Sequence, residues 1–127
     1  MKWGAMTALS SISKTQPTLL VPFMVEVVSA MDEGSVITRD HGIYILSHIA
    51  TLSKYHKDGM ELLLEQLEKA PVNQVPMYAE KMAEVVSPPY VKKLIRVLQS
   101  RTDVKEIPSK AKRIDKVIKQ LNNKMQD

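Results

Sequence analysis

The sequence predicts an all-α protein, a short array of stacked helix pairs. Three observations lead there. Apolar residues recur at helical spacing in seven separate segments, and no segment sustains a period-two alternation or carries an Asn-Gly hairpin turn. The apolar face of the first segment then reappears farther along the chain at nearly constant intervals. Composition agrees: 127 residues suit one domain, 44% are hydrophobic but only 5% aromatic, and 8 Met with 4 Gly favour a helical interior over a β-sandwich or barrel.

Ala5, Ala8, Leu9 and Ile12 fall at i, i+3, i+4, i+7 and predict a first helix over 2–13. Pro17 and Pro22 bracket the start of the second, because proline is tolerated only in a first turn. Its apolar run, Phe23, Met24, Val27, Val28 and Met31, stops at Gly34, a residue suited to the left-handed position after a helix. Ser35 is the expected N-cap of a third helix over 36–52, carrying Ile45, Leu46, Ile49 and Leu52. A fourth over 56–69 has Met60, Leu63, Leu64 and Leu67, and a fifth over 75–86 has Ala79, Met82, Ala83 and Val86. Pro88-Pro89 opens a sixth to residue 101, and Pro108 a seventh with Ala111, Ile114, Ile118 and Leu121 on one face.

Shifting the first helix by 37 residues places Ala5, Ala8, Leu9 and Ile12 on Gly42, Ile45, Leu46 and Ile49. A further 37 reaches Ala79, Met82, Ala83 and Val86, and about 32 more reaches Ala111, Ile114, Asp115 and Ile118. The first slot is small every time, which lets a paired helix approach closely. The unit is therefore a helix hairpin of about 37 residues, and the whole chain, 1–127, reads as about three and a half such units.

The stretch from Met31 to Gly42, with Leu46 and Ile49, resembles the inter-helix turn and second helix of a HEAT repeat. Asp32 stands where the first helix ends, Val36 and Arg39 where the second opens. The resemblance implies a right-handed α-α superhelix, an armadillo-like solenoid of about seven helices in antiparallel pairs. It also implies that Asp32 and Arg39 form a structural ladder between repeats. The chain opens on what resembles a second helix, so its first repeat lacks a first helix. Trp3 and Met6 would then lie at an open end and offer a route to self-association. The later repeats match this pattern less well.

His41, Tyr44 and His48 form a stripe at i, i+3, i+7 on the third helix, read as facing away from the core. The two histidines sit about 10 Å apart along the axis, too far to share one zinc ion. Carried across the repeats, the stripe reaches Tyr78 and Lys81, then Lys110 and Arg113. The resemblance implies that second helices line a concave surface, which makes these residues a candidate binding groove.

No metal set, cofactor or catalytic residue is expected. There is no cysteine, no Gly-rich phosphate loop among 4 glycines, and no nucleophile beside a base. Glu61-Glu65 and Glu80-Glu84 are i, i+4 carboxylate pairs of the kind found on solvated helix faces. No apolar run approaches a membrane span and no signal peptide is legible, so the chain reads as cytoplasmic.

Charge is unevenly placed. Residues 1–87 hold 7 Lys/Arg against 10 Asp/Glu, and residues 88–127 hold 11 against 4. Lys92, Lys93 and Arg96 on the sixth helix, with Lys112, Lys116 and Lys119 on the seventh, make a candidate basic patch. Phosphate binding needs such clustering, although only Tyr90 lies nearby as a stacking aromatic. Two functions stay open: a non-catalytic scaffold that binds a protein along the concave row, and a nucleic-acid binder acting through the basic helices.

Overall fold

The computed structural model describes residues 3–126, with side chains from Gly4 to Met125. Lys2, the expected start of the first helix, and the Trp3 side chain, expected at an exposed end, lie outside the described residues. Eight α-helices and two 3-10 segments account for most of the chain, with no strand among the described residues. They gather into two compact units, the first through Leu63 and the second from Leu64 on. No helix among the described residues is long and apolar enough to cross a membrane.

The first unit holds α1 (Trp3–Thr15), α2 (Met24–Glu33), α3 (Val36–Ala50) and the start of α4 (His56–Glu68). A 3-10 segment, Pro17–Phe23, occupies the span where the second helix was expected to begin. Pro22 lacks an N–H and would clash with the preceding turn of an α-helix, so α2 starts only after it. Phe23, expected in the core, is instead 45% exposed.

Between α2 and α3 the chain reverses at Gly34, which is extended (φ −98°, ψ −179°) rather than left-handed. Its glycine identity has a different cause. A Cβ there would meet the Ala30 carbonyl oxygen at 2.6 Å and Thr38 Cγ2 at 2.7 Å. Ser35 caps α3 as expected, its Oγ accepting from the Thr38 N–H at 3.4 Å. Met31 lies directly against Gly42, whose Cβ position is occupied by the Met31 Cγ and Sδ. The small slot therefore does let a helix approach closely, and that helix is α2.

The third helix is buried on nearly every side, with Ile43, Ile45, Leu46, Ser47, Ile49 and Ala50 almost inaccessible. The first helix differs from expectation. Ala5, Ala8 and Ile12 are exposed and Leu9 is half-buried, whereas Met6 and Ser13 are fully buried. The face of α1 turned inward is thus rotated away from the one its hydrophobicity indicates. Met6 is a core residue and not an open-end contact.

The second unit contains the rest of α4, then α5 (Val75–Val85), α6 (Pro88–Ser100), a four-residue α7 (Thr102–Lys105) and α8 (Pro108–Gln126). α5 and α6 begin and end within a residue of expectation, and α7 is additional. Tyr78, Ala79, Met82, Leu94, Leu98, Val104, Ile114, Val117 and Leu121 are buried. Arg101, between α6 and α7, ties this unit together. Its Nη1 donates to the Leu67 and Glu68 carbonyl oxygens at 2.9 and 3.4 Å, and its Nε and Nη2 grip the Asp103 carboxylate at 3.1 and 2.9 Å.

Candidate functional site

In the first unit the polar stripe of α3 turns toward α1 instead of solvent. Ser13 Oγ donates to the Ser10 carbonyl at 2.7 Å and lies 2.8 Å from His48 Nδ1. A hydroxyl carries one proton, so while Ser13 gives it to Ser10 its oxygen can accept only from an Nδ1-protonated His48. His41 Nε2 lies 3.4 Å from Thr7 Oγ1, and its Nδ1 is buried without a hydrogen-bond partner. Tyr44, on the same stripe, is half-buried. These residues were expected to line an open groove. They form a polar seam, because α1 offers hydroxyls at the matching heights.

Thr7 faces His41 and Ser13 faces His48, so α1 and α3 run in the same direction, offset by 34 and 35 residues. In the second unit, Glu80 meets Arg113 and Ala83 meets Lys124, which sets α5 and α8 side by side in the same sense, again 33 or more residues apart. The contacts are offset by 34 and 35 residues between α1 and α3 and by 33 and 41 between α5 and α8, not by the 37 and 32 of the expected repeat.

The expected ladder between Asp32 and Arg39 does not form through Arg39 Nη1, which is buried with no hydrogen-bond partner. Asp32 is exposed and has other interactions.

Of the remaining groove candidates, Tyr78 is only 1% exposed and belongs to the core. Lys81 is half-buried and pairs with Glu84 at 3.4 Å. Arg113 holds Glu80 in a two-pronged ion pair, Nε to Oε2 at 3.1 Å and Nη2 to Oε1 at 2.6 Å. That hydrogen bonding raises the Arg113 pKa further above its ordinary value. Both partners are nearly half exposed, so the pair orients α8 on α5 more than it stabilises the fold. Lys110 is half-buried at the start of α8.

The basic candidates remain on the surface. Lys92, Lys93, Arg96, Lys112, Lys116 and Lys119 are all exposed. Lys93 sits 5.6 Å from the Tyr90 ring centre, a cation-π arrangement. Two depressions carry the others. One, of about 360 Å³, lies between α6 and α8 and is lined by Lys92, Ile95, Arg96, Gln99, Asn122 and Met125. The second, of about 440 Å³, follows the outer side of α8 along Lys112, Arg113, Asp115, Lys116 and Lys119.

Sequence reasoning missed the Ser13 and Thr7 contacts of the histidines, the Arg101 clasp, and an exposed apolar set in the first unit. That set is Leu19, Phe23 and Val25 near the start of α2 and Val36 and Ile37 at the start of α3; Val25 is 80% exposed. No group of three or more His, Cys, Asp or Glu among the described residues could hold a metal ion. No known protein family, curated protein or solved structure matches this chain.

Proposed function

We propose that the protein is a non-catalytic scaffold of HEAT-like helix pairs that binds another protein. The observation that supports a protein partner is the exposed apolar set of the first unit. Leu19, Phe23, Val25, Val36 and Ile37 are each 44–80% exposed. Leu19, Phe23 and Val25 fall within seven residues near the start of α2, with Val36 and Ile37 at the start of α3, and water-facing side chains of that size are typical of surfaces that another protein covers. The side-by-side helices offset by 34 and 35 residues support the repeat reading, since stacked hairpins bring equivalent helices together in the same direction. The right-handed superhelix belongs to the same proposal. In the second unit, Lys81, Lys110 and Arg113 keep some surface.

The test is affinity capture with the full chain, followed by mass spectrometry, comparing wild type with Val25→Glu and with Lys112→Glu. Val25 is open enough for Glu to leave the fold intact. A specific protein lost with Val25→Glu and kept with Lys112→Glu supports the reading. Identical captures from wild type and Val25→Glu would sink it. Self-association is the homotypic form of the same proposal, with Ala5, Ala8 and Ile12 exposed on α1, and light scattering reads it directly.

A further inference from the structure

We propose that the α6–α8 face of the second unit binds the phosphate backbone of double-stranded nucleic acid without sequence preference. Several charges of this unit are already matched. Glu65 pairs with Lys69, Glu80 with Arg113, Glu84 with Lys81 and Asp103 with Arg101. Glu80 and Glu84 share a depression with Lys116, and Asp115 lines the outer side of α8 beside Lys112 and Lys119, so the cations there outnumber the carboxylates without excluding them. Lys92, Arg96, Lys112, Lys116 and Lys119 are exposed and have no carboxylate partner among the described residues.

Position adds to charge. Lys92 and Arg96 stand one helical turn apart on α6, about 6 Å between their Cβ atoms. They open into the depression shared with Asn122 and Gln99, whose side-chain amides can donate to phosphate oxygens as well. No carboxylate is among the described residues lining it. Lys119 lies three residues before Asn122, and Lys112 and Lys116 continue the row along the outer side of that helix, where Asp115 is the one carboxylate among the described lining residues. The row on α8 runs about 10 Å, the rise of seven residues. A path of this length fits a repeating anion, not a single anionic group.

The choice of a duplex follows from what the two depressions contain. Sequence-tolerant single-strand binding relies on aromatic side chains that stack on successive bases. No Phe, Tyr or Trp is among the described residues lining either depression. A duplex presents its phosphates as a rigid array and needs only cations and donors on the protein.

The experiment is fluorescence anisotropy of the full chain with a labelled random-sequence duplex, its single strand and heparin, across a salt series. Five phosphate contacts give a slope of log K against log salt of about −4.5, equivalent to a loss of about 500-fold in affinity between 50 and 200 mM salt. Lys92→Gln with Arg96→Gln should lower the slope to about −2.7, a loss of about 40-fold over the same range. Lys14→Gln with Lys54→Gln, in the first unit, should leave it unchanged. Circular dichroism shows that each variant folds. Three results would each overturn the proposal: duplex binding without salt dependence, single strand bound as tightly as duplex, or a slope unmoved by the Lys92 and Arg96 changes. Heparin bound as tightly as duplex, with the same slope, would also overturn it, reducing the face to a general polyanion surface. The scaffold reading rests on Val25 and its neighbours, so either can fail alone.

Discussion

Arg101 Nη1 donates to the Leu67 carbonyl oxygen at 2.9 Å, so a side chain placed after α6 caps the last turn of α4. The last carbonyls of a helix lack partners within it and carry partial negative charge, which a guanidinium satisfies on both counts. The Arg101 side chain is only 13% exposed, which limits replacement of the bond by water. Arg101→Ala should therefore destabilise the second unit by about 2 kcal/mol, the scale of a hydrogen bond to a charged group. Arg101→Lys should recover little, because a single ammonium cannot reach Leu67 and grip both Asp103 oxygens together. Urea denaturation of the three proteins measures both effects.

Asp103 supplies the other half of that clasp, and its titration gives a pH prediction. The Arg101 hydrogen bonds hold the Asp103 carboxyl below its ordinary value of 3.8. A group whose pKa is lower folded than unfolded contributes its stability above the unfolded value. That contribution is lost as pH falls through the lowered folded value. Between pH 5 and 8, stability should thus be insensitive to this group, and in acid below about 4 wild type should lose an increment. Asp103→Asn should lack that increment. Thermal melts of the two proteins at pH 7 and at pH 3 give the difference directly, and an equal acid loss in both would refute the assignment.

Gly42 has no room for a side chain, because the Met31 thioether fills the space a Cβ would take. Alanine is the better helix former by about 1 kcal/mol, so on an open face Gly42→Ala would stabilise. Here the clash takes in the middle of Met31, Cγ and Sδ, as well as its terminal Cε at 2.9 Å, and overpacking costs about 1–3 kcal/mol. The net expectation is destabilisation. Met31→Ala, costly by itself, should cost less in the Gly42→Ala background. A double-mutant cycle by chemical denaturation measures that coupling, and additive effects would show that the two residues do not compete for one space.

Much of the helical layout was legible because prolines and small polar residues punctuate it. Pro76, Pro88 and Pro108 each sit in a first helical turn, and Ser35 caps α3 as its sequence suggests. Gly42 was readable as a close-approach position for the same physical reason that it cannot become alanine. The face of α1 was not readable. Hydrophobic periodicity assumes that the inward face is the apolar one, yet α3 presents His41 and His48, and hydroxyls on α1 answer them. A polar seam inverts the pattern, leaving Ala5, Ala8 and Ile12 outside. Nor was α7, since four residues are fewer than any periodicity can register. The α6–α8 depression depends on two helices meeting, and the sequence could offer only Lys92 and Arg96, which line it.

The seam makes its own prediction. Ser13 is completely buried and passes its single proton to the Ser10 carbonyl, which leaves its oxygen to accept from His48 Nδ1. His48 should therefore carry its proton on Nδ1 when neutral, the less common imidazole tautomer in water. Long-range proton–nitrogen correlation spectra of the imidazoles distinguish the two forms, and an Nε2-protonated His48 would contradict the arrangement. Ser13→Ala removes the acceptor while leaving the cavity almost unchanged in size. It should cost about 1–3 kcal/mol, the penalty for an unsatisfied buried donor. Thr7→Ala should cost much less, because its contact with His41 is longer, at 3.4 Å, and Thr7 is only half-buried. A larger loss for Thr7 than for Ser13 would mean that the upper end of the seam, and not the His48 bond, holds α1 in place.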